Sequence, residues 1–246
     1  MTTIDVFEVA GTLGGYQSSA SQRVSDPTAD WLGTGLAGNA NFNHIPVDYP
    51  AAVYPMGPSI NTGVKNLTAA INSAANPFIL VGTSQGACVI ADVYDQLRSG
   101  NLTSHRSNLL AGITFGNPRR QAGHSFTGGT DPGGVGADKK PLADTEDLWW
   151  DFAVPGDPIS TVGVHPFTGA KAYWMHQCWE ALLGNIPLLN GNILALAPTV
   201  FDAATSMGPT EPHGEWGVWD PINMGRCSAT GGKSCYQLAL AYILTI

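Results

Sequence analysis

The chain has 246 residues, of which 43% are apolar and 12% charged, and its formal net charge at pH 7 is −8. This length and apolar content suffice for one large core, so we expect a single domain over residues 1–246. An acidic balance without a cluster of Lys and Arg argues against a nucleic-acid-binding protein. No apolar run is long enough to span a bilayer, and the N-terminus lacks the basic start and apolar stretch of a signal peptide.

Apolar segments in the first half predict strands alternating with helices, which is typical of a mostly parallel α/β sheet. Strands are predicted at Ile4–Ala10 and Ile45–Tyr54, and two prolines in the second of these indicate a sheet edge. Residues 14–44 are rich in Gly, Ser, Asn and Thr, and they predict a long loop with one short helical turn. Helical spacing of apolar residues predicts a helix over about 59–75.

The second half continues with predicted strands at Leu109–Phe115 and Leu148–Val154, separated by an extended loop at 123–141. From 166 to 207 the character changes, because two amphipathic helices fill a stretch that is too long for a simple crossover. We therefore expect a helical cap inserted between two sheet elements. Its apolar surface could line an acyl channel or pack on the sheet. A closing helix is predicted over 234–246.

The segment Phe78–Ile90 combines a buried strand, the pattern G-x-S-x-G and the start of a helix. Ser84 lies between Gly82 and Gly86, and small neighbours relieve crowding around a serine at the apex of a tight strand-to-helix turn. Such a turn lifts the hydroxyl clear of the sheet and directs the backbone N–H of Gln85 toward the same space, where it can stabilise an oxyanion. We interpret Ser84 as a nucleophile; the alternative is a chance match to a common pattern.

A second oxyanion donor is predicted in the glycine-rich segment that follows the first strand. In an open α/β sheet, such a loop lies at the carboxyl edge, where ligands bind. Gly11 and Thr12 could therefore bring a backbone N–H, or the Thr12 hydroxyl, beside Ser84. An ordinary glycine-rich turn is the alternative.

A nucleophilic serine needs a base to take its proton and a carboxylate to orient that base. In one recurring arrangement, the acid and then the histidine follow the serine along the chain. Asp157 fits the acid position, because it lies in a Pro-Gly-Asp-Pro turn after a predicted strand. Asp151 lies within that strand, and Asp144 and Asp147 precede it. A turn-forming role is the alternative for Asp157.

His213 fits the position of the base, because it is the histidine nearest the C-terminus and lies in a loop between Pro212 and Gly214. A lone histidine is often structural, and the order along the chain is what favours His213. The other five break this order, lie on the insert or follow Asp157 too closely: His44, His105, His124, His165 and His176.

Other polar and sulfur-containing residues give weaker indications. Arg119 and Arg120 could bind an acidic group, but we expect them to be solvated at the surface. Cys88 is interpreted as a buried apolar residue, whereas Cys227 and Cys235 bracket a short loop and could form a disulfide. No C-x-x-C pair or His/Cys cluster is present, so we expect no metal site.

Several segments resemble a known family. Val47–Ala51, Pro77–Ala87 and Phe115–Pro118 are similar to the cutinase-like branch of the α/β hydrolases, in which Gln85 after the serine is typical. The chain length, the Asn-Pro-Arg-Arg-Gln stretch and the helical insert are more similar to lysin B. These are mycobacteriophage esterases that cut the ester joining mycolic acids to arabinogalactan. The resemblance covers most of residues 4–120.

The resemblance implies a three-layer α/β-hydrolase fold and a serine esterase that needs no metal or organic cofactor. It implies Ser84 as nucleophile with Asp157 and His213 as partners, and an oxyanion hole at Gln85 and Thr12. The implied substrate is a lipid ester, mycolyl-arabinogalactan, cleaved by an enzyme that is made in the host cytoplasm and acts at the host envelope. For the oligomeric state, which no residue pattern decides, we favour a monomer. The alternatives are a cutinase or lipase acting on other lipid esters, and a non-catalytic phage virion or tail protein.

Overall fold

A computed structural model describes residues 3–12, 27–124, 131–145, 148–185 and 235–246. In this part of the chain, five parallel strands form one sheet in the order β2-β1-β3-β4-β5. The strands are β1 Ile4–Val9, β2 Phe42–Pro46, β3 Phe78–Thr83, β4 Leu109–Phe115 and β5 Trp149–Phe152. The predicted mostly parallel sheet is confirmed.

Helices cover both faces of this sheet. The described helices are α1 Pro27–Leu36, α2 Met56–Ser73, α3 Gln85–Ser99, α4 Ala170–Leu183 and α5 Cys235–Ile243. Apolar side chains from α2, α3 and α4 pack with one face of the sheet, and those from α1 and α5 pack with the other. The result is a three-layer arrangement of helices, sheet and helices.

The central strand β3 explains why its sequence is a continuous apolar run. Phe78 and Leu80 belong to the core on one face, whereas Ile79 and Val81 belong to the core on the other. A strand covered on both faces cannot alternate apolar with polar residues. Because the strand order reverses between β1 and β3, their carboxyl ends border a crevice, which is where ligands bind in open α/β sheets.

Two element predictions in the first half are wrong. β2 is Phe42–Pro46 rather than 45–54, although it lies at the sheet edge as its prolines predicted. Helix α1 occupies part of the segment predicted as a loop. Its glycines suggested a loop, but a Cβ at Gly35 would lie 2.6 Å from the Leu240 side chain, so glycine there allows α1 to pack closely against α5.

Helix α4 is the described part of the predicted insert at 166–207. Met175 and Trp179 pack in the core with α2 and α3, whereas Tyr173 and Trp174 are 60% and 55% exposed. This helix therefore packs on the layer of helices that covers the sheet. The second predicted helix of the insert lies outside the described residues, and the cap as a whole stays a prediction.

Within the described ranges, no helix has both the length and the apolar character needed to cross a membrane.

Candidate active site

The turn between β3 and α3, residues 82–86, places Ser84 at the carboxyl edge of the sheet. We call it the elbow turn. Ser84 has φ 51° and ψ −114°, a conformation that non-glycine residues rarely adopt. Its backbone N–H donates to the carbonyl of Phe115 at 2.8 Å, which fixes the turn to the end of β4. Ser84 is half-buried, so this residue is not enclosed in the core.

Glycine is required on both sides of Ser84 because backbone segments meet there. A Cβ at Gly86 would lie 2.1 Å from the carbonyl oxygen of Val9 and 2.5 Å from that of Ala10. A Cβ at Gly82 would lie 2.7 Å from the carbonyl oxygen of Gly86. The two glycines of G-x-S-x-G therefore allow the first turn of α3 to approach β1 and β3, which supports the sequence interpretation of the pattern.

The loop after β1 contacts the elbow turn. A Cβ at Gly11 would lie 3.6 Å from Ser84 Cβ, an ordinary van der Waals distance, so this backbone is adjacent to the serine. The buried Tyr49 hydroxyl donates to the carbonyl of Ala10 at 2.5 Å and fixes the end of β1. The glycine-rich segment thus lies beside Ser84, as its position after an early strand predicted.

The Gln85 side chain joins the loop after β1 to the segment that carries Ala52 and to helix α2, which carries Ser59. It is fully buried, and its Nε2 donates to the Ala52 carbonyl at 2.8 Å and to Thr12 Oγ1 at 3.4 Å. Its Oε1 accepts from Ser59 Oγ at 2.9 Å, and Ser59 Oγ accepts from the Ala52 N–H at 3.0 Å. The structure therefore brings together Gln85 and Thr12, which were predicted from sequence, and adds Ser59, which was not.

Asp157 lies in the loop after β5, residues 154–162, which we call the acid loop. Its side chain is fully buried, and Oδ1 accepts from the Ile159 N–H at 2.8 Å. Oδ2 accepts a hydrogen bond from the Ser160 hydroxyl. The Asp157 backbone carbonyl accepts from Thr161 Oγ1 at 2.7 Å and from the Thr161 N–H at 3.0 Å. Both carboxylate oxygens are thus held by donors within four residues of Asp157.

The prediction that Arg119 and Arg120 are solvated at the surface is wrong. Arg119 is 2% exposed and Arg120 0% exposed. Arg119 donates to the carboxylates of Asp92 and Asp95 on α3, at 2.7 and 2.9 Å. A guanidinium has five N–H donors, so it can be buried where several carboxylates or carbonyls converge. Such convergence comes from segments distant in sequence and leaves no local pattern.

Arg120 binds the acid loop and an adjacent loop. Its guanidinium pairs with Asp131 and donates to the carbonyls of Gly133 at 2.9 Å, Gly134 at 3.2 Å and Ser160 at 3.1 Å. It therefore holds residues 131–134 against the segment that carries Asp157. The only sequence signal for this role was an arginine in the loop after a buried strand, in a chain with few charges.

Asp151 is occupied within the sheet. It is buried, and Oδ1 accepts hydrogen bonds from the Thr114 hydroxyl and, at 2.9 Å, from Asn117 Nδ2. Burial raises the pKa of Asp151, although these hydrogen bonds oppose the shift. This carboxylate joins the carboxyl ends of β4 and β5.

His213 lies outside the described residues. Three of the other histidines bind groups elsewhere: His44 Nε2 is 2.5 Å from Glu8 Oε2, His176 Nδ1 is 2.7 Å from the Ala137 carbonyl, and His124 Nδ1 is 3.2 Å from the Thr145 hydroxyl. No group of three His, Cys, Asp or Glu in the described ranges could hold a metal ion.

The described cysteines differ in whether their thiol is free or disulfide-bonded. Cys88 is buried and free, as predicted, and Cys178 is also free. Burial raises the pKa of both thiols. Cys235 forms a disulfide, whereas Cys227, its predicted partner, lies outside the described residues.

Comparison with known proteins identifies the family to which this chain belongs. Endolysin B of Mycobacterium phage L5 is 30% identical over 206 residues, which cover 68% of this chain and 79% of that protein. The chain belongs to the endolysin B family. Endolysin B of Mycobacterium phage D29 is 29% identical, with the same shares covered. The model of the PE-PPE domain also matches, over residues 40–130. The resemblance to lysin B seen in the sequence is confirmed.

Solved structures support the fold of this endolysin B family member. Lysin B from mycobacteriophage D29 superimposes with a TM-score of 0.62 at 21% identity, covering 97% of this chain and 98% of that chain. A cutinase-like protein from Cryptococcus sp. superimposes with a TM-score of 0.50 at 17% identity, covering 83% and 94%. The predicted three-layer, cutinase-like α/β-hydrolase fold is therefore confirmed.

Proposed function

We propose that the chain is a serine esterase that cleaves a lipid ester of the mycobacterial envelope during phage lysis. The observation that carries this proposal is the elbow turn, which holds Ser84 in a left-handed backbone conformation at the β1/β3 crevice. The Gly11–Thr12 backbone lies beside the turn. Membership of the endolysin B family supports the phage context.

In this mechanism, Ser84 Oγ attacks the ester carbonyl while His213 takes the hydroxyl proton. The tetrahedral oxyanion is stabilised by the Gln85 N–H and by the loop that carries Thr12, and each donor is worth about 10²–10³ in rate. The C–O bond of the leaving alcohol breaks as His213 returns the proton to it. Water, deprotonated by the same imidazole, then attacks the acyl-enzyme and releases the carboxylic acid.

Asp157 serves as the acid that orients His213. β4 separates β3 from β5, so the carboxyl ends of β3 and β5 are about 10 Å apart at ordinary strand spacing. This spacing leaves room for an imidazole between Ser84 and Asp157. The burial of Asp157 strengthens its hydrogen bond to an imidazolium, because little water competes.

The proposed substrate is the ester between mycolic acid and arabinogalactan, which the resemblance to lysin B implies. The enzyme is made in the host cytoplasm and acts at the host cell envelope. Release of free mycolic acids from purified mycolyl-arabinogalactan, compared with hydrolysis of triglycerides and cutin, tests this choice. Faster turnover of triglycerides or cutin would indicate a lipase or cutinase instead.

The nucleophile is tested with Ser84→Ala, measured on short p-nitrophenyl esters. We expect a loss of about 10⁴-fold or more in kcat, with an unchanged circular dichroism spectrum. Ser73→Ala is the matched control, because Ser73 is exposed on α2 and donates only within its helix, to the Ala69 carbonyl.

A labelled fluorophosphonate separates the esterase from a non-catalytic protein with this fold. An activated serine reacts with it, so the unaltered chain and Ser73→Ala should be labelled and Ser84→Ala should not. Full activity of Ser84→Ala, or an unlabelled wild-type chain, would refute the esterase proposal.

A further inference from the structure

The acid loop holds the Asp157 carboxylate with more than backbone donors. The Ser160 hydroxyl donates to Oδ2, and Ser160 is fully buried like Asp157. A hydrogen bond to an ionised carboxylate in a buried site is stronger than one between neutral groups. It also fixes the plane of the carboxylate, and therefore the direction in which its other lone pairs point.

We propose that Ser160 is a positioning residue for the acid and that Arg120 fixes Ser160 in turn. This inference rests on the proposed function, because it assigns a role to Ser160 only if Asp157 orients the catalytic imidazole. Ser160 touches neither the serine nor the ester. It acts by holding Asp157 Oδ2, so that the carboxylate presents a defined lone pair to His213.

The backbone of Ser160 is held through its carbonyl by Arg120. The guanidinium donates to the Ser160 carbonyl at 3.1 Å while pairing with Asp131, which is about one-third exposed. Arg120 also donates to the carbonyls of Gly133 and Gly134, which fix the guanidinium, so a shift of the Ser160 main chain would break its buried hydrogen bond to a side chain that cannot follow. The chain of contacts thus runs from Arg120 through Ser160 to the Asp157 carboxylate.

The Ser160 hydroxyl also tunes the charge of the acid. A donor to the ionised carboxylate offsets part of its negative charge and reduces its attraction for a proton on the neighbouring imidazole. Removing that donor leaves more of the negative charge facing the imidazole, which favours the imidazolium. The acid limb of the kcat/KM–pH profile reports when the imidazole becomes neutral and able to act as a base. The limb should therefore move to higher pH when the donor is lost.

Ser160→Ala tests this role, measured as the pH dependence of kcat/KM on a p-nitrophenyl ester. We expect kcat to fall about 10-fold, with KM unchanged, and the acid limb to move up by about 0.5–1 pH unit. Rates are normalised to the fraction of enzyme that a fluorophosphonate labels. Ser160→Thr restores a hydroxyl and should return the limb toward its original position.

Thr161→Val is the matched control. Thr161 is equally buried, and its hydroxyl donates to the backbone carbonyl of Asp157 instead of the carboxylate. This variant should lose stability but keep the acid limb where it is. If Ser160→Ala does not fold, Ser160→Cys retains the size and only a weak donor, and it should move the limb in the same direction.

An unchanged acid limb in Ser160→Ala, or an equal shift in Thr161→Val, would overturn the positioning role. The proposed function would still stand in that case, because it depends on the loss of activity in Ser84→Ala. Conversely, an active Ser84→Ala would remove the basis for both.

Discussion

The elbow turn and the acid loop hold their carboxyl-edge residues by different physical means. In the elbow turn, backbone approaches backbone, and Gly82 and Gly86 are required because no Cβ fits. In the acid loop, one backbone and one side-chain donor hold a carboxylate, and Arg120 reaches Ser160 across 40 positions of sequence. Steric exclusion thus leaves a local pattern in the sequence, whereas a hydrogen-bond network assembled from distant segments does not.

The largest expected effect is the loss of the Arg120 guanidinium from the acid loop. In Arg120→Met, the carbonyl of Ser160 loses a donor while fully buried, and the carbonyls of Gly133 and Gly134 lose one while partly buried. A buried acceptor left without a donor costs about 1–3 kcal/mol and a partly solvated one costs less, so we expect the free energy of unfolding to fall by about 3 kcal/mol. Denaturant titration measures this. Native-state hydrogen exchange should also show faster exchange of the Ile159 and Thr161 amides.

Arg119→Met is the control that separates loop anchoring from general destabilisation. Arg119 is almost as buried but holds Asp92 and Asp95 on α3. It should lower global stability by a similar amount without selectively exposing the amides of Ile159 and Thr161. Equal loss of protection at these two amides in both variants would contradict the difference drawn between the two regions.

The elbow turn should respond next most strongly, to a single added methyl group. Gly86→Ala places a Cβ only 2.1 and 2.5 Å from the carbonyl oxygens of Val9 and Ala10, well inside van der Waals contact. Overpacking of this kind costs about 1–3 kcal/mol, and because the atoms met are backbone we expect the upper part of that range. The first turn of α3 must move away from β1, so esterase activity should fall with the melting temperature.

Gly11→Ala is the control for that prediction. The added Cβ would meet its neighbours at 3.5–3.6 Å, which is ordinary contact. Its loss of stability should be clearly smaller than that of Gly86→Ala. Similar melting temperatures for the two variants would show that the close approach at Gly86 does not decide the geometry of the turn.

The same contrast explains how much of the structure the sequence could predict. The apolar runs of β3 and β4 were correctly placed because strands buried on both faces have a continuous apolar composition. Helix α1 was missed because Gly35 reads as a loop residue, although it serves a close contact between helices. Propensity is a local property, and that contact with α5 is not.

In the candidate site too, residues that belong to a local sequence pattern could be predicted, whereas residues defined by contacts between distant segments could not. Ser84 and Gln85 could be predicted from the elbow pattern, and Thr12 from its place after β1. Ser59 could not be predicted, because its bond to Gln85 depends on how α2 lies against α3. Arg120 was interpreted incorrectly because arginine is usually exposed, and only the convergence of three carbonyls with Asp131 makes its burial possible.

The smallest expected effect concerns Asp151, which lies between the two regions and joins the ends of β4 and β5. Burial raises its pKa, against the hydrogen bonds from Thr114 and Asn117. The folded state therefore favours the protonated acid. This contribution to stability is fully present below the unfolded pKa, about 3.9, and is lost as pH rises through the higher folded pKa.

Asp151→Asn keeps an oxygen that can accept from Thr114 and Asn117 but carries no charge. Its stability relative to the wild-type chain should therefore increase as pH rises from about 4 to 7, as followed by denaturant titration.

Asp95→Asn is the matched comparison, and its relative stability should change in the opposite direction. Burial raises the pKa of Asp95, but hydrogen bonds from Lys140 and Arg119 outweigh it and lower that pKa. Its ionised form stabilises the fold above the unfolded pKa, and this contribution is lost as pH falls through the folded value. The relative stability of Asp95→Asn should thus decrease as pH rises. If both differences changed in the same direction, burial alone would govern these carboxylates, and the distinction between a buried acid and a paired one would be wrong.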